Sequence, residues 1–532
     1  MPAEQQTRRT RVLFWLSLIV PLSLYIGFAS RFIMAHVGYQ YDEALFVESA
    51  VFVLRGTPDL ATWIAGHGRR WPLMIIPYMG TTKACVALPL FATLGISADV
   101  ARFSGVVLGS LGIAGLVTLI GTQICPAAGL ILGVFLAIHP TYLDYTVFDN
   151  GGVSVWMAAM GLFALALTDY LRRRSALSAL LLGIAAGLGV WGRVNVLWLL
   201  ASGIVAALVV FGRRAIPASH HIAAMMIGGL LGALPLISYE LGSRLGTLRF
   251  ISSTERPLSG PLVAQRLGAL TELMISDGEQ RGIWAGPPLP AWEIGIGGGL
   301  IAMVLLCACA RIRSGSSSIS RWRRAFAASA AVLTIIMLTS RLGIRQHHLA
   351  AVLPLALSAL AILSVEIVKR LRLAFLPLGA LAVGLAVLSL SWDARIDRGL
   401  RETRGKRVFS SAVYDLAEYL QSQHVPPDRL KILNWGLRNN LYVISRGSVY
   451  GSELFWGATK ARSSRGIRWE SEIRDGGSFL LYLFPTGPPA LDAAAEGFSE
   501  VLKDYDGLRQ ERLFADRSGD PFARLVEILP TR

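Results

Sequence analysis

Long apolar segments alternate with short polar ones over roughly the first 390 residues. The apolar segments cover 12–34, 71–95, 103–140, 153–171, 175–191, 194–212, 219–239, 292–310, 326–340, 347–366 and 373–391. Most approach the length of roughly 20 residues that an α-helix needs to cross a bilayer. Segment 103–140 is interrupted at Cys125-Pro126 and is predicted to be one broken or re-entrant element. The pattern therefore predicts about eleven crossings.

Short basic clusters mark one face of the predicted membrane module. They lie at 172–174, 213–214, 311–324 and 369–372, and Arg102 is assigned to the same face. Because Lys and Arg are enriched in cytoplasmic loops, this face is predicted to be cytoplasmic, with the N-terminus on it. The loops 35–71, 141–152 and 240–291 then lie outside. The Pro and Gly content of 240–291 predicts little regular structure there.

The chain changes character near residue 392 and then reads as a small soluble α/β unit. Periodicity predicts helices at 411–423 and 492–504 and strands at 431–435, 479–484, 508–515 and 522–529. The predicted domains are thus a membrane module, 1–392, and an extracytoplasmic domain, 393–532. The second domain shows no phosphate loop, nucleophile elbow or metal spacing.

Composition agrees with a multi-spanning membrane protein whose surroundings are membrane lipids. Hydrophobic residues make up 53% of the chain, charged residues only 16%, and the mean hydropathy is +0.52. The net charge of +16 is spread over short clusters and forms no continuous patch, so no nucleic-acid partner is predicted. The four cysteines lie in or beside apolar segments, which indicates neither a disulfide framework nor a metal site.

Two adjacent carboxylates follow the first apolar segment, in Tyr41-Asp42-Glu43-Ala44. They are placed close to the outer membrane surface, and the apolar stretch 44–54 behind them is predicted to be an interfacial helix. A carboxylate at this depth can meet a water-soluble hydroxyl and a lipid-borne reactant at once. The alternative is that Asp42 caps that helix and Glu43 favours its positive end, a local effect of about 1 kcal/mol. Both interpretations stay open.

Two further features add candidate chemistry. Lys83 lies within the second predicted span, where an unpaired ammonium costs several kcal/mol, so we predict that it faces a polar cavity; snorkelling to an interface is the alternative. Loop 141–152 carries a second pair of acids, Asp144 and Asp149. Asp149 directly precedes an apolar run and is alternatively a helix cap.

Taken together, these motifs resemble the GT-C glycosyltransferases, specifically glycosyltransferase family 39. That group includes the dolichyl-phosphate-mannose protein mannosyltransferases and the lipid A aminoarabinose transferases. The resemblance rests on Tyr41-Asp42-Glu43-Ala44, on Arg70-Trp71-Pro72-Leu73 and on the acidic loop that ends at Asp149, and it covers roughly residues 10–390. It implies a polytopic α-helical membrane protein of GT-C type with a small C-terminal extracytoplasmic α/β domain.

The resemblance also implies an activity: transfer of a sugar from a polyprenyl-phosphate carrier to an acceptor hydroxyl at the outer face of the plasma (inner) membrane. Asp42 is the predicted base, because a carboxylate within about 3 Å of the hydroxyl suffices. Glu43 and Asp149 are predicted to orient the acceptor. The candidates for binding the carrier phosphate are Lys83, Arg193, Arg345 and His348. A single displacement inverts the anomeric centre.

The identity of the substrates stays open at this stage. The sugar is a hexose or a pentose, and the acceptor is a glycan, a lipid or a protein. No obligatory cofactor is predicted, and assistance by a divalent cation is left open. The rival classes are a transporter or flippase of a lipid-linked or anionic substrate, and a non-enzymatic receptor or assembly protein that acts through 393–532. The large external loops and the absence of similar halves favour an enzyme.

Overall fold

The structure is a computed structural model that describes residues 3–55, 72–253, 257–309, 318–370, 375–455, 467, 469–485 and 489–529. Residues 56–71 of the loop 35–71, including Arg70 and Trp71 of the family motif, lie outside the described residues. Parts of the basic clusters 311–324 and 369–372 do so as well.

Helices build the membrane module, joined by one small hairpin, β1 (Met74–Ile76) and β2 (Met79–Gly80). The helices are α1 (Ala3–Ile33), α2 (Tyr41–Leu45), α3 (Glu48–Arg55), α4 (Thr82–Leu94), α5 (Ala98–Gln123), α6 (Pro126–Ala137), α7 (Pro140–Val147), α8 (Val153–Arg173), α9 (Ala176–Gly192), α10 (Val196–Phe211), α11 (Ser219–Gly232), α12 (Leu234–Ser243), α13 (Gly246–Ser253), α14 (Gly260–Leu273), α15 (Ala291–Cys309), α16 (Ser318–Thr339), α17 (Gln346–Leu349), α18 (Val352–Arg370) and α19 (Phe375–Thr403).

The protein is a multi-pass membrane protein. Among the described residues, eight helices are long and apolar enough to cross a membrane. Two further pairs, α6 with α7 and α11 with α12, pass the same test as units bent by 60° and 61°. Together with the 17-residue α9 these elements amount to the eleven crossings predicted, and that number stays a prediction.

Two of the predicted spans are wrong in detail. Segment 71–95 is no continuous helix: it holds the β1–β2 hairpin, with Pro77 between the strands, and then α4 of only 13 residues. Proline removes a helix hydrogen bond, and 13 residues fall short of a bilayer. Segment 103–140 is not one element either. Here α5 runs for 26 residues, and Pro126 then opens the separate helix α6.

Loop 240–291 is also more regular than predicted, since it contains α13, α14 and a 3-10 turn at Gly278–Ile283. Its Gly and Pro residues begin helices: Ser259 accepts a hydrogen bond from the Leu262 amide, and Gly260-Pro261 forms the first turn of α14. Proline is favoured at that position because the first amides of a helix have no partner.

The predicted α/β unit is confirmed. Its elements are α20 (Ala412–Ser422), β3 (Leu430–Ile432), α21 (Leu437–Ile444), β4 (Ser452–Glu453), α22 (Trp469–Arg474), β5 (Gly477–Tyr482), α23 (Pro489–Lys503), β6 (Arg509–Ala515) and β7 (Pro521–Ile528). The five strands form one sheet in the order β4-β3-β5-β7-β6. Strand β3 is parallel to both of its neighbours, whereas β7 is antiparallel to β5 and β6. The short elements α21 and β4 were not predicted.

Candidate functional site

Asp42 lies in the first turn of α2 and does not cap it, so the capping interpretation of Asp42 is wrong. Gln40 is the N-cap: its side chain accepts from the Asp42 amide, and Glu43 Oε1 accepts from the Gln40 amide at 3.4 Å. The Asp42 carboxylate is therefore not engaged in capping. Its Oδ2 accepts a hydrogen bond from the Gly151 amide at 3.3 Å, across the membrane module. The predicted interfacial helix 44–54 is divided into α2 and α3.

Glu43 is bound by a buried arginine of α5. Arg102 Nε and Nη2 donate to the two Glu43 carboxylate oxygens at 2.7 and 3.0 Å, and the same guanidinium donates to the carbonyls of Val37 and Gly38. Both side chains are at most 1% exposed. Arg102 therefore lies at the site, on the same face as Asp42, and its assignment to the opposite face is wrong.

Lys83 and Asp149 form a second buried ion pair. Lys83 Nζ lies 2.7 Å from Asp149 Oδ2, and the two side chains are 1% and 0% exposed. Asp149 Oδ1 also accepts from the Ser154 amide at 2.8 Å, in the first turn of α8, so Asp149 satisfies a helix terminus as well. Lys83 is thus paired within the protein and does not reach an interface.

A left-handed turn brings this second acidic segment to Asp42. Asp149, Gly151 and Gly152 all have positive φ, at 28°, 66° and 69°. Gly151 is the residue whose amide faces Asp42, and a Cβ there would collide with the His347 ring. Only glycine fits both the backbone conformation and the space. Asp144, the competing acid of the same loop, is buried, and the charges that act on it most strongly are those of Asp277 and Asp393, followed by Glu43 and Arg102.

Arg193 is buried, and no carboxylate of the described residues forms an ion pair with it. It is 1% exposed, its guanidinium lies over the Trp156 ring at 5.4 Å, and neither its Nε nor its Nη1 has a hydrogen-bond partner among the described residues. Three other buried polar atoms also lack a partner within the described part: Thr82 Oγ1, which lies beside Gly192, Ser154 Oγ and Trp156 Nε1. Buried polar groups are normally hydrogen-bonded, so a set of unpaired donors indicates a missing acceptor.

The turn before α17 contributes histidines and an exposed arginine. Arg345 precedes α17, and its amide donates to His348 Nδ1 at 3.1 Å. His347 packs against Gly151, and its Nδ1 lies 3.5 Å from Glu279 Oε1. The structure thus brings His347, which was not a candidate, closer to Asp42 than the sequence indicated. In the sequence, the only feature that pointed to His347 was its position next to the candidate His348.

Burial dominates the electrostatics of the site. Burial raises the pKa of Asp42 to about 6, against the Gly151 hydrogen bond and the charges of Arg345 and Arg193, which lower it; Asp149 raises it further. Burial lowers the pKa of Arg193 to about 10, opposed by Tyr78, Asp149 and Asp42. Burial also raises the pKa of Glu43, against the opposing charge of Arg102. Asp42 is therefore a carboxyl poised near neutral pH beside two cations.

The described residues contain no group of three or more His, Cys, Asp or Glu side chains arranged to hold a metal ion. What the arrangement offers instead is a partly accessible carboxylate next to buried, unpaired hydrogen-bond donors.

Comparison with known proteins locates the fold. No family model and no curated protein matches the sequence. Solved structures do: ArnT from Cupriavidus metallidurans in the apo state matches with a TM-score of 0.62 at 13% identity, over 97% of this chain and 98% of that one. ArnT bound to undecaprenyl phosphate matches with a TM-score of 0.57 at 13% identity, over 96% and 97%. The oligosaccharyltransferase from Archaeoglobus fulgidus in complex with Zn and sulfate matches with a TM-score of 0.53 at 13% identity, over 95% and 72%. At this level of identity the likeness is one of architecture, and the chain has the GT-C fold of these membrane glycosyltransferases.

Proposed function

We propose that the protein is a membrane glycosyltransferase that moves a sugar from a polyprenyl-phosphate carrier to an acceptor hydroxyl. The observation that carries the proposal is the buried guanidinium of Arg193: two of its nitrogens have no hydrogen-bond partner among the described residues, and its charge acts on Asp42. It supports an anion-binding role for Arg193 close to the candidate base. The fold likeness to ArnT, which was crystallised with undecaprenyl phosphate, supports the same donor class.

The anion site suits a phosphate. A buried charge without a partner is strongly unfavourable, and an anionic phosphate supplies several acceptor oxygens that an arginine binds in charge-assisted hydrogen bonds. The Trp156 indole and the hydroxyls of Thr82 and Ser154 add neutral donors. Lys83, paired with Asp149, adds a second cation whose charge acts on Glu43, the neighbour of Asp42. Arg345 and His348 remain proposed contacts on the exposed side.

The reaction follows from this arrangement. The acceptor oxygen attacks the anomeric carbon while the bond from that carbon to the phosphate oxygen breaks. The acceptor proton passes to the Asp42 carboxylate, and the cations stabilise the charge that develops on the departing phosphate. One displacement inverts the anomeric configuration. The sugar and the acceptor class, whether glycan, lipid or protein, are not fixed by these contacts.

Glu43 and Asp149 take positioning roles in this proposal. Arg102 occupies both Glu43 oxygens, and Lys83 and the Ser154 amide occupy those of Asp149. We therefore assign Glu43 to holding the backbone of α2 and Asp149 to orienting Lys83. Neither carboxylate is left free to accept a proton from the acceptor.

The test measures transfer of a labelled sugar from polyprenyl phosphate by the purified protein. Asp42→Asn keeps the shape of the side chain, so we expect unchanged donor binding and a transfer rate lowered by 100-fold or more, on the order of a general-base contribution. Arg193→Gln should instead weaken donor binding by about 1.5–3 kcal/mol, the usual strength of a charged hydrogen bond.

Arg244→Gln, which changes an exposed arginine after α12, is the matched control and should match wild type. Near wild-type turnover of Asp42→Asn would remove Asp42 from the mechanism. Substrate movement across the membrane with no transfer would favour the transporter or flippase alternative.

A further inference from the structure

The C-terminal domain touches the helix that carries Asp42. The turn between β3 and α21 places the Trp435 ring against the Tyr41 ring, with centroids 4.2 Å apart and the planes tilted by 47°. Gly436 follows with φ +108°, and a Cβ on it would lie 3.3 Å from Tyr41 Cβ. Tyr41 is the residue directly before Asp42. The turn is therefore shaped to approach α2 closely.

Helix α21 also shares a hydrophobic core with α2 and α3. Tyr442 and Val443 of α21 belong to one buried cluster with residues of the Asp42 region, namely Tyr39, Ala44, Val47, Ala50, Val51 and Phe52. One polar contact accompanies it, since Asn439 Nδ2 donates to Glu48 Oε2. The contact is thus an integral core and not a loose apposition of two domains.

A second contact holds the chain just before α2. Tyr414 of α20 donates its hydroxyl to the Val37 carbonyl at 2.9 Å, and Gly38 packs directly on the backbone of Ser410. The Val37 and Gly38 carbonyls also accept from Arg102. Residues 37–48 therefore lie between the C-terminal domain on one side and α5 on the other.

We propose that the C-terminal domain is part of the catalytic site, with Trp435 and Asn439 as positioning residues that hold α2 and keep water from the Asp42 carboxylate. This rests on the proposed function and gives the domain a role in it. Helix α2 has only five residues, and a helix that short has no stability of its own. Its geometry must come from its neighbours, and a base misplaced by about 1 Å can lose about 100-fold in rate.

Exclusion of water provides a signature that a purely structural role lacks. Burial is the largest cause of the raised pKa of Asp42. Removing the Trp435 ring admits water beside Tyr41 and Asp42, so the pKa of Asp42 should fall towards its ordinary value. The acidic limb of the pH–rate profile should then move to lower pH while the maximal rate falls.

The experiment compares Trp435→Ala and Trp435→Phe in the full-length protein. For Trp435→Ala we expect kcat to fall by about 10- to 100-fold with donor KM unchanged, and the acidic limb to shift to lower pH. Trp435→Phe keeps an aromatic ring against Tyr41, so its kcat and the position of its acidic limb should be close to those of wild type. Tyr419→Ala, which removes an aromatic ring that packs against Phe514 of β6, is the control and should leave kcat and the acidic limb of the pH–rate profile unchanged.

Hydrogen exchange of the amides of residues 41–46, measured without substrate, gives a readout that needs no activity. We expect faster exchange in Trp435→Ala and in Asn439→Ala than in wild type. If Trp435→Ala fails to fold, Asn439→Ala and Trp435→Phe are compared with wild type in its place. Wild-type exchange, kcat and acidic limb in folded variants would overturn the proposal. If wild-type protein transfers no sugar, the proposed function fails, and the exchange data still decide whether the domain holds α2.

Discussion

At the level of single residues, the side chain of Asp42 is partly accessible and has a raised pKa, and a general base requires both accessibility and a suitable pKa. Its pKa is raised to about 6 by burial, and Arg345 and Arg193 act against that rise. A base works when it is deprotonated, and its efficiency is highest when its pKa lies near the working pH. A carboxyl with an ordinary pKa would be ionised but a weaker proton acceptor. Burial of Asp42 therefore suits its proposed role as a general base.

This pKa predicts a pH dependence. Activity should be half-maximal at about pH 6, full from about one pH unit higher, and should fall at lower pH, because protonation of Asp42 removes the proposed base. The measurement is kcat/KM for sugar transfer between about pH 4.5 and 8, which reports the free enzyme. Arg345→Gln removes a charge that lowers the pKa of Asp42, so its acidic limb should lie at higher pH than that of wild type. A profile that stays flat to pH 4.5 contradicts the assignment of Asp42.

Between secondary-structure elements, the hydrogen bonds from Arg102 of α5 to Glu43 hold α2, the helix that carries Asp42, in position. Arg102 makes hydrogen bonds to Glu43, Val37 and Gly38, and its guanidinium lies over the Phe148 ring at 4.8 Å. The single side chain thus connects α5, α2, the chain before α2 and the C-terminal end of α7. Its removal would leave the buried Glu43 carboxylate without its counter-ion.

Arg102→Met is therefore expected to destabilise the protein by about 3–5 kcal/mol, the range for breaking a buried ion pair on one side only. The measurement is thermal unfolding in detergent. Arg173→Met is the matched control: it breaks an ion pair with Asp169 in α8 whose arginine is 66% exposed, and such pairs contribute about 1 kcal/mol or less. Equal shifts of the two variants would mean that the Arg102 contacts do not stabilise α2.

For the chain as a whole, the C-terminal domain lies on the face that carries Asp42, because α21 packs against α2 and α3. The N-terminal half of α1 and the basic loop after α10 then lie on the opposite face. With eleven crossings, the two ends of the chain lie in different compartments. The basic clusters predict that the face carrying the N-terminus is the cytoplasmic one.

Labelling with a membrane-impermeant maleimide tests this topology. In a background where the exposed Cys85 and Cys309 are replaced by Ser, Leu513→Cys on strand β6 should be labelled in intact cells and Arg213→Cys only after permeabilisation. Labelling of both positions in intact cells would contradict the predicted number of crossings, and the α4 and α9 regions would then need another assignment.

Features that depend on short stretches of chain were predictable. Hydropathy located the helices of the membrane module because the cost of placing polar backbone in lipid admits only helices there. Alternating and helical periodicity located α20, β5, α23, β6 and β7 to within a few residues. The Asp42-Glu43 pair stood out for a similarly local reason, its position directly after the first apolar segment.

Features that depend on distant partners were not predictable. Arg102 looked like a loop marker because its partner Glu43 is 59 residues away, and Asp149 was not separable from Asp144 until Lys83, 66 residues away, was placed beside it. Gln40, not Asp42, caps α2, and the Asp42 carboxylate is instead bonded to the Gly151 amide 109 residues away. Local sequence determines which backbone conformations are low in free energy and which segments are apolar enough to enter the membrane. Which charges neutralise one another in the buried interior depends on how the helices pack, because an unpaired buried charge costs several kcal/mol and its partner is brought to it only by the packed chain.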